Sequence, residues 1–178
     1  MRGIFILASL VLPLVSSLYI QKPVQRKATR PASPLRWTSS SKKSEMDGIV
    51  TTTLMLDATG NPDAALVIRC GGGKATVYVY LGDYVQPGAE WPSVRTKFDA
   101  GEPKSDTWGN STNMQGLFSP TPSSLLRRLL NSKKFLFEFT PYEKRPKILT
   151  FDVIGFERVL NPIAKSCGEI PDYVADDH

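Results

Sequence analysis

The chain has 178 residues, 41% of them hydrophobic, with 22 Lys and Arg against 17 Asp and Glu and a formal net charge of +5. This length suits one domain with its own core once an export segment is set aside, and it is too short for two. One histidine and two cysteines leave little material for nucleophilic triads or zinc sites.

The positive charge is local. Arg2, Lys22, Arg26, Lys27, Arg30, Arg36, Lys42 and Lys43 lie before the first acidic residue, Glu45. Removing these eight leaves 14 basic residues against 17 acidic ones, so the body is slightly acidic. That argues against a basic nucleic-acid-binding face on the folded part, and no nucleic acid is expected as a partner.

In chain order, Arg2, the apolar run from Ile4 to Val15 and the small pair Ser16-Ser17 follow the plan of a secretory signal peptide, expected over 1–17. An uncleaved anchor reaching Ile20 is the alternative, but the run is short for a spanning helix and contains Pro13. Residues 18–43, rich in Pro, Ser, Thr and basic side chains, read as a disordered tether. It could lie against anionic lipid or acidic polymers, or serve as a solvated linker. Positive charge this close to an apolar segment opposes export. Two cysteines without a Cys-x-x-Cys pair favour it.

The globular domain is expected over 44–178, with Trp37 near its start. Ile49 to Asp57 is β-branched and then apolar, and predicts the first strand, followed by a turn over 57–62. Ala64 to Cys70 and Ala75 to Leu81 flank Gly71-Gly72-Gly73-Lys74, a hairpin pattern in which glycine supplies positive φ. Val77, Val79 and Leu81 alternate with Thr76, Tyr78 and Tyr80, which predicts one buried face and one half-exposed aromatic face. Val94, Thr96 and Phe98 alternate within 92–99, and Lys104 to Thr112 reads as a strand centred on Trp108. Leu125 to Leu130 has helical spacing after a Ser/Thr cap. Phe135 to Thr140 and Ile148 to Val153 predict paired strands, and Gly155 to Ser166 a final helix that Pro162 interrupts. The sum is an α+β, mainly antiparallel, sandwich-like β-rich domain with two short helices.

Chemistry is sparse. His178 is the last residue, where chains are commonly mobile, so Ser-His-Asp or Cys-His catalysis is not expected. Cys70, Cys167 and His178 lack the close pairs of a structural zinc site, and no metal or cofactor is expected. Gly71-Gly72-Gly73-Lys74 lacks the spacing and the following Ser or Thr of a phosphate loop. Glu90, Asp99, Glu102, Glu138 and Asp152 are the carboxylates available to a glycan hydrolase, though nothing in their spacing makes a pair converge. Cys70 and Cys167 are a disulfide, two buried thiols or reactive groups, and the export signal favours the disulfide. Trp91, Arg95, Trp108 and Tyr84 form either a recognition surface or part of the core, the usual place for Trp and Tyr in a small β domain.

The order Trp37, Met46-Asp47, Leu66-Val67-Ile68-Arg69-Cys70, Val77-Tyr78-Val79, Gly82-Asp83-Tyr84, Val94-Arg95-Thr96-Lys97-Phe98-Asp99, Trp108-Gly109-Asn110-Ser111 and Cys167 resembles the TagO/VasI family of type VI secretion-associated proteins. The resemblance runs from about Trp37 to Cys167. It implies a non-catalytic periplasmic or envelope accessory protein that contacts a secretion-system component, and it implies the Cys70–Cys167 pairing. Arg95, Asp99, Trp108 and Ser111 are the residues expected to meet the protein partner. A glycan hydrolase and a phage-type envelope protein are the competing readings.

Overall fold

The computed structural model describes residues 36–170 and Tyr173. The signal peptide expected over 1–17 and the tether over 18–35 lie outside the described residues.

Among the described residues, ten strands form two antiparallel sheets. Thr38–Lys43 (β1), Val50–Ala58 (β2), Asn61–Gly71 (β3), Lys74–Tyr80 (β4), Gly109–Asn110 (β7) and Gly116–Phe118 (β8) make a six-stranded sheet in the order β1-β2-β3-β4-β8-β7. Ser93–Phe98 (β5), Lys104–Thr107 (β6), Lys134–Phe139 (β9) and Lys147–Asp152 (β10) make a four-stranded one, ordered β10-β9-β5-β6. Helices Pro122–Leu130 (α1) and Phe156–Leu160 (α2) complete the fold, with a 3-10 helix over Asn161–Cys167. The expected fold class is thus observed.

Alternation explains the layering. Leu54, Leu56, Leu66, Ile68, Val77, Val79 and Leu117 of the larger sheet share one core with Val94, Phe98, Phe135, Phe137, Phe139, Leu149 and Phe151 of the smaller. Leu125, Leu126 and Leu129 of α1, with Phe156 and Leu160 of α2, belong to the same core. The hairpin predicted at the glycine run forms with Cys70 opposite Ala75 and Gly71 opposite Lys74, and Gly72 and Gly73 both take positive φ. Pro162 ends α2 as an α-helix and begins the 3-10 turn.

Three expectations change. The tether does not extend to Lys43: Trp37 is buried against Phe156, and β1 pairs with β2 along its whole length. An edge strand needs no apolar alternation, and its hydroxyls serve the sheet, Thr38 Oγ1 donating to Met55 O and Ser41 sharing a hydrogen bond with Thr52. The single strand expected over 104–112 is two, broken at Trp108 where the chain leaves one sheet for the other. The indole fills the core against Phe137, ring centroids 4.9 Å apart, so the backbone turns there to deliver it. β8 has no counterpart among the predicted strands.

Cys70 and Cys167 are joined by a disulfide across 97 positions, with both residues in the core. It straps the 3-10 helix to β3. A bond of this kind fits an oxidising, exported environment. Among the described residues no helix is long and apolar enough to cross a membrane.

Candidate functional site

The four residues expected to meet a partner do not converge. Trp108 is 2% exposed and belongs to the core, so it is not available as a surface anchor. Arg95 lies on the outer side of the four-stranded sheet and donates to Glu138 Oε1 at 3.0 Å from the neighbouring strand. Asp99 follows β5 with φ 47°, and its Oδ1 accepts the backbone N–H groups of Lys133 and Lys134 at 3.0 and 2.9 Å. That carboxylate fastens the start of β9. Ser111 Oγ accepts the Gly116 N–H at 2.8 Å and donates to Asn113 Oδ1, closing the turn from β7 to β8. Three of the four thus have a structural role visible in their contacts, and Arg95 has one exposed ion pair.

The carboxylates named for glycan hydrolysis are dispersed too. Glu138 is engaged by Arg95, Asp152 accepts the Ile154 N–H, Asp99 holds β9, and Glu90 and Glu102 are exposed on separate loops. Among the described residues no three His, Cys, Asp or Glu side chains gather as a metal site.

A different surface stands out, the outer face of the six-stranded sheet. Register places Met55 beside Val67, Val67 beside Tyr78, and Tyr78 beside Phe118, all pointing away from the core. The Tyr78 and Phe118 rings lie 4.8 Å apart. Gly109 is next in the row, and Trp91 lies across it: a Cβ there would sit 3.4 Å from the indole. The row is therefore an apolar and aromatic stripe across the sheet: Met55 is 40% exposed, Tyr78 and Phe118 are half-buried, Val67 between them is 4% exposed, and Trp91 at the end is 60% exposed. Its half-exposed aromatic part, Tyr78 and Tyr80, is the face that the alternation of β4 predicts.

The stripe has a charged margin on each side. Arg69 stands on one, its guanidinium 5.2 Å from the Tyr78 ring centre. The other carries a hollow of about 520 Å³, a volume near that of small ligand sites, lined by Met55, Asp57, Asp63, Ala65, Tyr80 and Gln115 among others. Ala65 is what makes it hollow, because a short side chain sits between Asp57 and Tyr80 in the ladder. Gly82 forms part of the wall at φ 61°, and a Cβ there would overlap the Asp63 carbonyl. Next to it, burial opposes ionisation of Asp83. Hydrogen bonds from Lys144 Nζ and the Tyr84 N–H, with the charges of Lys144 and Lys147, outweigh this and hold its carboxyl below the usual range. Met55, Asp57, Asp63 and Phe118 went unnoticed in the sequence, although the period of two in β2 and β3 puts the first three on the outward side.

The fold has a solved counterpart. It is similar to invasion associated protein B from Bartonella henselae, with a TM-score of 0.53 and 14% sequence identity, covering 72% of this chain and 90% of that one. Likeness at this identity concerns the fold alone. No family model matches the chain, and no curated protein matches it.

Proposed function

We infer that the chain is an exported, non-catalytic accessory protein of the periplasm or cell envelope that binds protein through the outer face of its six-stranded sheet. The observation that carries this reading is the stripe of Met55, Val67, Tyr78 and Phe118 with exposed Tyr80 and Trp91, flanked by unlike charges. Aromatic, Met and Arg side chains are those enriched in protein interfaces, and a contiguous apolar stripe on a sheet face has a use when something covers it. Export is supported by the core disulfide together with the apolar start of the chain. The motif order shared with TagO/VasI proteins supports work beside a secretion system.

A photo-reactive amino acid at position 80, introduced in the host cell, tests the reading, with position 148 on the outer side of the other sheet as control. Crosslinks to protein from position 80 and none from 148 are expected. Equal yields from the two positions, or peptidoglycan fragments released by the purified protein in a manner dependent on Glu90 or Glu138, would overturn it.

A further inference from the structure

The charges on the two sides of the stripe are of opposite sign: Arg69 and Asp57 each stand two residues from the row, and Asp63 stands four. Along β3, Arg69 and Ala65 are each two residues from Val67, about 6.8 Å to either side. Ala65 is the floor of the hollow that Asp57 and Asp63 rim. Among the described residues neither carboxylate is held by a cation, and Arg69 is engaged only by the Tyr78 ring. Thr53 and Thr76, the cross-strand neighbours of Arg69, are small and leave its approach open.

We propose that this face is an isologous interface between two copies of the chain, with the two-fold axis lying along the row Met55, Val67, Tyr78 and Phe118. The proposal rests on the outer face being a protein contact surface, and it names the protein as a second copy. Rotation about the row exchanges the positions of Arg69 and Ala65 between facing copies. Each Arg69 then enters the hollow of the other copy, between Asp57 and Asp63, while the aromatic row packs against itself. One surface supplies both the guanidinium and the acidic hollow, which is what a two-fold contact requires and what an unrelated partner does not need. The facing strands span roughly 20 Å at about 4.8 Å per strand, a patch smaller than the ~800 Å² per partner of a standard interface. The dimer is therefore weak, concentration-dependent and weakened by salt.

Sedimentation of the full chain, recovered oxidised, over about a hundredfold range of concentration tests this. The average mass should climb towards twice the monomer mass. Arg69→Glu places an acid in an acidic hollow and should raise the dissociation constant at least about tenfold. A second variant carrying Asp57→Lys and Asp63→Lys should be equally monomeric. Mixed one to one, the two should associate again: the glutamate introduced in one meets the two lysines introduced in the other, and the second contact is the native one. That rescue also shows that both variants are folded. A wild-type chain that stays monomeric, an Arg69→Glu chain that still associates, or a mixture that stays monomeric overturns the proposal. If the chain is monomeric while position 80 crosslinks to a different protein in the cell, the second copy is ruled out and the contact surface stands. If position 80 crosslinks to nothing, both fall.

Discussion

Replacing Cys70 and Cys167 together by alanine removes the strap between β3 and the 3-10 helix while leaving small apolar groups in the core. The bond spans 97 positions. In the chain-entropy relation, a loop of about 100 residues is worth about 4.7 kcal/mol, and removing a native disulfide from a small exported domain costs about 2 to 5. A domain of this size has about 5 to 15 kcal/mol in total, so the variant should be left near the margin of folding. Urea denaturation followed by tryptophan fluorescence reads this directly. With a slope of about 2 kcal/mol per molar urea, the midpoint should fall by roughly 2 M. Wild-type protein unfolded with and without reductant should show the same gap. A midpoint within about 0.3 M of wild type in the variant would refute the strap as a main source of stability. The bond would then say little about the compartment the fold is built for.

Two further outcomes follow from the placement of single residues. Trp108→Ala should cost about 3 to 5 kcal/mol, because it empties the corner where the chain crosses between sheets. Arg95→Ala, which breaks an ion pair whose arginine is 52% exposed, should cost less than about 1 kcal/mol. Melting curves that reverse this order would contradict the core assignment. Asp83→Asn tests the lowered carboxyl beside the hollow. A group whose folded pKa is depressed stabilises the fold above its unfolded pKa and loses that effect as pH falls through the folded value. The variant should therefore be less stable than wild type at pH 7, by less than about 1 kcal/mol because Lys144 is largely exposed. The gap should close below about pH 4. A gap that persists unchanged at pH 3 would contradict the assignment.

The strands with a clean period of two were legible. Val94, Thr96 and Phe98 face the core as their alternation requires, and the glycine run between Cys70 and Ala75 forms the hairpin. The interruption of the last helix by Pro162 was legible for a local reason of its own, since the ring denies the helix a donor. β1 was not, because an edge strand of Thr, Ser and Lys buries nothing and carries no apolar signal. β8 is three residues long and begins with glycine, below what a pattern can show. Trp108 misled because an aromatic side chain marks a core and an anchor equally well in sequence. Asp99 looked like a contact residue, yet it is needed where the backbone adopts φ 47° and two N–H groups require an acceptor. The charged margins of the stripe come from two strands paired at a particular register, which no single stretch of sequence reveals.

Hydroxyl-radical footprinting compares the same side chains in two settings, the intact cell and dilute purified protein, and so bears most directly on the outer face of the six-stranded sheet as a protein contact surface. Met55, Tyr78 and Tyr80 should react more slowly in the cell than in dilute solution, while Tyr142, exposed on the loop between β9 and β10, should react equally in both. Equal rates for Met55 and Tyr80 in the two settings would mean that nothing covers the stripe, and the account would fail.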